Sequence, residues 1–313
     1  MVHLRVVAPP DRAERVHALL CATPSAIDVV RIANASVRPD GDLITCDVAR
    51  EDASVIISDL RDLRIDEDGS ISLSPTDTIP AYAEAAIEYA PGSPADAVIW
   101  EELHERTSES VELSAVFLLY MVLAAIIAAI GIFLDSAILV VGAMVVGPEF
   151  GPVAGLCVAL VHKRTDLARR SALALALGFP LAIGATIVAT LLFDLADLVP
   201  DAFAAGNHAL AKSISSPDAF AFIVAACAGT AGMLSLSTAK SGALIGVLIS
   251  VTTIPAAANI GVAIAYGDTD TAAGSAGQLA VNLIAILLAG TLTLYVQRRL
   301  YIRRKRRRRA AAA

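Results

Sequence analysis

Leu139-Val-Val-Gly-Ala-Met-Val-Val-Gly-Pro-Glu-Phe-Gly-Pro-Val-Ala-Gly155 is the stretch on which the reading of this chain turns. It lies inside Ser136–Val161, a run whose single charge is Glu149. Prolines 148 and 152 each remove a backbone donor and clash with the preceding turn, and Gly147 and Gly151 loosen the chain beside them. A carboxylate at mid-membrane depth costs roughly 2.5–3.5 kcal/mol on insertion scales, so it marks a functional position by default. Irregular backbone at that depth persists only where protein covers it or water reaches it. The stretch therefore predicts a discontinuous membrane helix with a site at its break.

The rest of the chain agrees with a membrane body. Hydrophobic residues make up 56% of the sequence and the mean hydropathy is +0.68, above the roughly 45–50% apolar content of soluble domains. Residues 1–112 carry 22 acidic and 9 basic side chains, and residues 113–313 carry 9 acidic and 15 basic. Such asymmetry predicts an acidic soluble head followed by a membrane part with basic ends. Met1-Val-His-Leu-Arg-Val-Val lacks the apolar run of a signal peptide, so the head is expected in the cytoplasm. Cys21, Cys46, Cys157 and Cys227 are scattered and read as small buried hydrophobes.

Six spans are predicted: Leu113–Phe133, Ser136–Val161, Ser171–Phe193, Ala219–Leu236, Ser241–Tyr266 and Ala276–Val296. Lys163, Arg164, Arg169 and Arg170, then Lys240, then Arg298 to Arg309 fall in alternate loops, which belong on the cytoplasmic side. Both termini are then cytoplasmic. The two halves start about 103–106 residues apart, and a shift of 103 lays Pro152 on Pro255. Span five is interrupted at Thr252-Thr253-Ile254-Pro255, as span two is at Gly147–Pro152. Three spans starting inside and three starting outside make an inverted pair. Interrupted helices at matching positions of inverted halves are the sequence signature of a mid-membrane transport site. The expected site residues are Gly147, Pro148, Glu149, Gly151, Pro152, Thr252, Thr253, Pro255 and Asn259, with Asn282 a further interhelical hydrogen-bond partner. Trp100 is expected to anchor a connecting helix at the headgroups or simply to pack.

In the head, strands over 2–8, 27–32, 43–48 and 71–73 and helices over 11–21 and 52–63, the second capped by Asp52, follow the order βαββαβ of a ferredoxin-like unit. The domains are then 1–75 (head), 76–112 (linker and connecting helix), 113–297 (six-helix membrane domain) and 298–313 (basic cytoplasmic tail). No Gly-rich phosphate loop, His-Glu-x-x-His or Gly-x-Ser-x-Gly occurs, which argues against an enzyme, and no cofactor or metal is expected. The Arg tail is expected on anionic lipid rather than nucleic acid.

Behind such a head, the Leu139–Gly155 stretch resembles the DUF389 family of bacterial and archaeal hydrophobic membrane proteins, over nearly the whole chain. The resemblance implies a prokaryotic inner-membrane location and no settled activity. Two functions compete at this point. The first is a transporter or channel for a small solute or ion, assembled as a homo-oligomer or regulated through the head. The second is a membrane-anchored sensor or scaffold whose head binds a ligand or partner.

Overall fold

The computed structural model describes residues 1–76, 98–200, 203, 209–238 and 252–312, with side chains to 303 apart from Arg106. The chain divides into two compact units, one built on residues 1–103 and the other on 104–236 and 240–304.

In the first unit, β1 (Val2–Ala8), α1 (Pro10–Cys21), β2 (Ala26–Val37), β3 (Asp40–Val48), α2 (Arg50–Asp62), α3 (Ile65–Asp68) and β4 (Ser70–Pro75) follow one another. The sheet is antiparallel throughout, in the order β2-β3-β1-β4. Alternation along β1 and β3 sends Val2, Leu4, Val6, Ile44, Cys46 and Val48 into one core with Val16, Leu20, Ile56 and Leu60 of the two long helices. β2 runs five residues beyond the expected strand. Asn34, at φ 51°, lets it bulge and continue, and its N–H is held by Asp42 at 2.9 Å. Asp52 does not cap α2. That helix starts at Arg50, and the Asp52 carboxylate instead accepts from Ser25 Oγ at 2.6 Å.

Burial pushes the Cys46 thiol up to about 12. The Asn34 N–H and the Arg31 guanidinium, the latter at 2.8 Å, hold Asp42 below the usual carboxylate range. Trp100, at the start of α4 (Trp100–Ser110), is 5% exposed, and its backbone N–H is bound by Ser54 Oγ. It packs in the head unit, so the headgroup-anchor reading is withdrawn. The Pro-rich connector, including Pro80, Pro91 and Pro94, lies outside the described residues.

The second unit is helical. It holds α5 (Ala115–Phe133), α6 (Ala137–Val146), α7 (Phe150–His162), α8 (Thr165–Leu195), α9 (Ala209–Ile214), α10 (Ala219–Ser237), α11 (Thr253–Ala265) and α12 (Thr269–Ala312). Among the described residues, α5, α8, α10 and α12 are each long and apolar enough to cross a membrane, and α6 with α7 forms a fifth such segment, bent by 52° at its break. The N-terminal part of expected span five, 241–251, lies outside the described residues, leaving the 13-residue α11. The expected final span and the start of the basic tail form one helix, because nothing between Thr269 and Arg303 breaks it.

Leu173, Leu177 and Leu181 on α8, and Ile284, Leu288 and Leu292 on α12, stand exposed in rows four residues apart. Helices that show apolar rows outward are built for lipid, since water would penalise so large an apolar surface. Small residues draw the helices together. A methyl on Gly261 of α11 would meet Ile183 O and the Thr186 side chain of α8 at 2.7–2.9 Å, and one on Gly229 of α10 would meet the backbone of Ile286 on α12 at 2.8 Å.

Candidate functional site

The break between α6 and α7 follows from its residues. Ser136 caps α6, which ends at Gly147, whose N–H still reaches Ala143 O at 3.1 Å. Pro148 cannot continue the helix. Its carbonyl accepts from Gly151 N at 3.3 Å, and Glu149 stands at the N-cap of α7. Pro152 occupies the third helical position, where its missing N–H costs nothing, because the first turn has no intrahelical acceptor to offer. α11 starts the same way, with Thr252 at the N-cap and Pro255 in the third position.

The two helix starts meet. Thr253 Oγ1 donates to Glu149 Oε1 at 2.6 Å, between residues 104 apart in sequence. Both side chains are buried, Glu149 at 5% and Thr253 at 1% exposure. Glu149 Oε2 is also buried, and among the described residues it accepts from no other residue. No Lys, Arg or His pairs with this carboxylate among the described residues either. The N-terminal, positive ends of α7 and α11 converge on it instead, which favours negative charge at that point. Gly147 is confined by the same contact: a methyl there would run into the Glu149 carboxylate and, at 2.7 Å, Ile254 Cγ1.

A polar chain continues from Thr252. Asn282 Nδ2 of α12 donates to Thr252 Oγ1 at 2.8 Å, and Gln278 Nε2 donates to Asn282 Oδ1 at 3.1 Å. Gln278 and Asn282 are four residues apart and so share a helix face. With Thr252 they line a cavity of about 250 Å³ whose wall also carries Ser213, Ser216 and Asp218. Gln278 Oε1 is buried without a partner among the described residues. Chemically, this is a buried carboxylate with one unpartnered oxygen and no basic counter-ion among the described residues, and a chain of hydroxyl and amide groups begins at the neighbouring Thr252. A carboxylate in such a setting has the chemistry to exchange a proton or to pair with a small cation.

Of the expected site residues, Gly147, Pro148, Glu149, Thr252 and Thr253 gather at this point. Pro152 and Pro255 shape the two helix starts and lie buried in them. Gly151 serves packing, since a methyl there would meet Ser110 O at 2.6 Å. Asn259 points to other partners: Nδ2 donates to Ser275 Oγ at 2.8 Å and to Ala211 O at 3.0 Å. Asn282 bonds between helices as expected, and Gln278 was not foreseen.

The fold and the buried site define a largely helical protein with membrane-span-like helices and a small N-terminal antiparallel sheet. The family model described as "Domain of unknown function (DUF389)" matches residues 144–288, a range that runs from α6 through the α6–α7 break and α11 into α12. Over that range the DUF389 resemblance of the Gly147–Pro152 stretch therefore holds. The chain is also 26% identical, over 266 residues, to the uncharacterized protein MJ0678 of Methanocaldococcus jannaschii, covering 82% of this chain and 77% of that one. No solved structure matches.

Proposed function

We propose that this protein is an inner-membrane transporter or channel for a proton or small cation, with its site at the Glu149–Thr253 contact. The observation that carries the reading is that contact itself. Two helix starts, from distant parts of the sequence, enclose a buried carboxylate with one oxygen unpartnered among the described residues, and Thr252, next to Thr253 in the chain, lines a polar cavity. A carboxylate with no such use would be an expense that a packing residue avoids.

The inverted repeat draws support from the helix boundaries. Ala115 and Ala219, Phe150 and Thr253, and Thr165 and Thr269 begin corresponding helices at separations of 104, 103 and 104 positions. α5 and α10 each have 19 residues, and α7 and α11 each have 13. The halves also exchange partners. Val153 of α7 packs with Ala225 of α10 and Ala285 of α12, while Ile254, Ala257 and Ala258 of α11 join the cluster of α5 and α8. Six crossings follow, with both termini cytoplasmic by the positive-inside rule. A bend of 52° at the first break is far from the reversal a re-entrant hairpin needs, which favours one crossing there.

The head supplies regulation or assembly. Its strand order is that of a ferredoxin-like unit. Edge strand β2 leaves Val30, Ile32 and Val37 exposed, which suits pairing with a second copy.

The test is flux into liposomes holding the purified full chain, read with an internal pH dye and with Na⁺ and K⁺ indicators under an imposed potential. Flux of one of these ions that falls in Glu149→Gln supports the reading. Protein-loaded liposomes no more permeable than empty ones to all three ions would sink it in favour of a sensor or scaffold.

A further inference from the structure

A second cavity, of about 270 Å³, opens beside the C-terminal half of α11, apart from the Glu149 contact. Asn259 lines it, six positions beyond Thr253 and so about 9 Å further along the helix axis. Two acceptors fix how its amide is turned. The nitrogen must face Ala211 O, which can only accept, and its other hydrogen goes to Ser275 Oγ. That leaves Oδ1 buried, with no partner among the described residues, on a side chain only 1% exposed. A buried acceptor left unpaired is costly, so it calls for a donor.

The rest of the lining says what kind of donor. Val262 and Ala263 are apolar, and the Phe203 and Tyr266 rings lean together with centroids 5.8 Å apart. Asp268, which caps the start of α12 by accepting from Thr271 N at 3.0 Å, puts a carboxylate on the wall. Tyr266 OH in turn donates to Asp194 at 3.3 Å, so a second carboxylate stands behind the ring. No Lys or Arg lines the cavity among the described residues. An anion would meet like charge and an unpaired carbonyl oxygen. A bare metal ion would find too few oxygens and an apolar wall. An ammonium on a small apolar or aromatic body suits this lining: its charge answers the Asp268 carboxylate, its N–H groups would supply the donor that Asn259 Oδ1 lacks, and its body would lie on the rings. The volume, just under the usual range for drug-sized ligands, limits it to a small molecule.

We infer that this cavity is a binding site for a small organic ammonium compound, separate from the ion site at Glu149. Benzylamine is the probe, with benzyl alcohol and benzoate as neutral and anionic bodies of the same shape. Ligand-observed NMR with the full chain in nanodiscs, corrected against empty nanodiscs, reads the binding. Benzylammonium should bind saturably and the other two should not. Asn259→Leu should weaken it by about tenfold, the loss expected for one hydrogen bond to a buried acceptor. Because Asn259 also holds Ala211 and Ser275, Ala263→Phe gives an independent check: a ring there fills the cavity and should abolish binding while the chain stays folded. Equal binding of all three probes, no saturable binding to folded protein, or undiminished binding in folded Ala263→Phe would each overturn the inference.

Discussion

Thr253 donates its hydroxyl hydrogen to the carboxylate of Glu149 at 2.6 Å, joining the starts of two helices that begin 103 positions apart. Each helix start alone would leave amide groups without partners in lipid. Together they surround one side chain that can gain or lose a proton. Replacing Glu149 by Gln keeps its shape and removes the charge. Proton or cation flux through reconstituted protein should fall at least tenfold and lose its dependence on pH, while the melting temperature stays the same or rises, since a buried carboxylate without a basic counter-ion among the described residues has been replaced by a neutral amide.

Gly147 tests how closely the break fits. A methyl there meets Glu149 and Ile254, so Gly147→Ala should cost about 1–3 kcal/mol of stability, the usual penalty for overpacking. Gly142, with nothing among the described residues near its Cβ position, is the matched control and should tolerate alanine. Equal thermal stability of the two variants in detergent would show that the break is looser than described.

In the head, Asp42 is held below its ordinary range first by the Asn34 N–H and then by Arg31. A depressed carboxylate stabilises the fold above its unfolded value of about 3.9 and loses that contribution as pH falls through the lower folded value. Amide-exchange protection along β3, normalised for intrinsic rates, should therefore decline below about pH 4 in the full chain. Asp42→Asn should be less protected at neutral pH and should flatten the decline. A decline as steep in the variant as in the parent would assign the acid sensitivity to other groups.

Thiol chemistry separates the cysteines. Cys21 is exposed, whereas Cys46 is buried with its thiol pushed up to about 12, so it holds almost no thiolate at neutral pH. An impermeant maleimide should label Cys21 quickly and Cys46 only on unfolding. With six crossings and a cytoplasmic head, Cys21 should label in inside-out vesicles and be protected in intact cells. Labelling of Cys21 from outside intact cells would invert the topology.

The break at Gly147–Pro152 was legible because proline and glycine act locally, whatever surrounds them. That it would meet Thr252–Pro255 was legible from spacing alone, since the 103-residue shift aligning Pro152 with Pro255 also aligns the starts of α7 and α11. Asn259 stands apart from the Glu149 contact because six positions of helix carry it about 9 Å past Thr253, to Ala211 and Ser275. Gln278 carried no local signal of its own. An amide in an apolar helix reads alike whether it packs idly or lines a cavity, and only its four-residue spacing from Asn282 hinted at a shared face. β2 was drawn too short because Asn34-Ala-Ser breaks the alternation, while the bulge that carries the strand onward rests on Asp42, eight residues away.

The central claim is that Glu149 and Thr253 form one site, and a double-mutant cycle on flux tests it most directly. Rates for the parent, Glu149→Gln, Thr253→Ala and the double variant are measured in the same liposomes at one pH. Residues of one site are non-additive. The double variant should therefore be no slower than Glu149→Gln alone, because the threonine hydroxyl, though it can still bond the Gln oxygen, no longer tunes a group that gains and loses charge. Losses that multiply, or a Thr253→Ala variant as fast as the parent, would contradict the account.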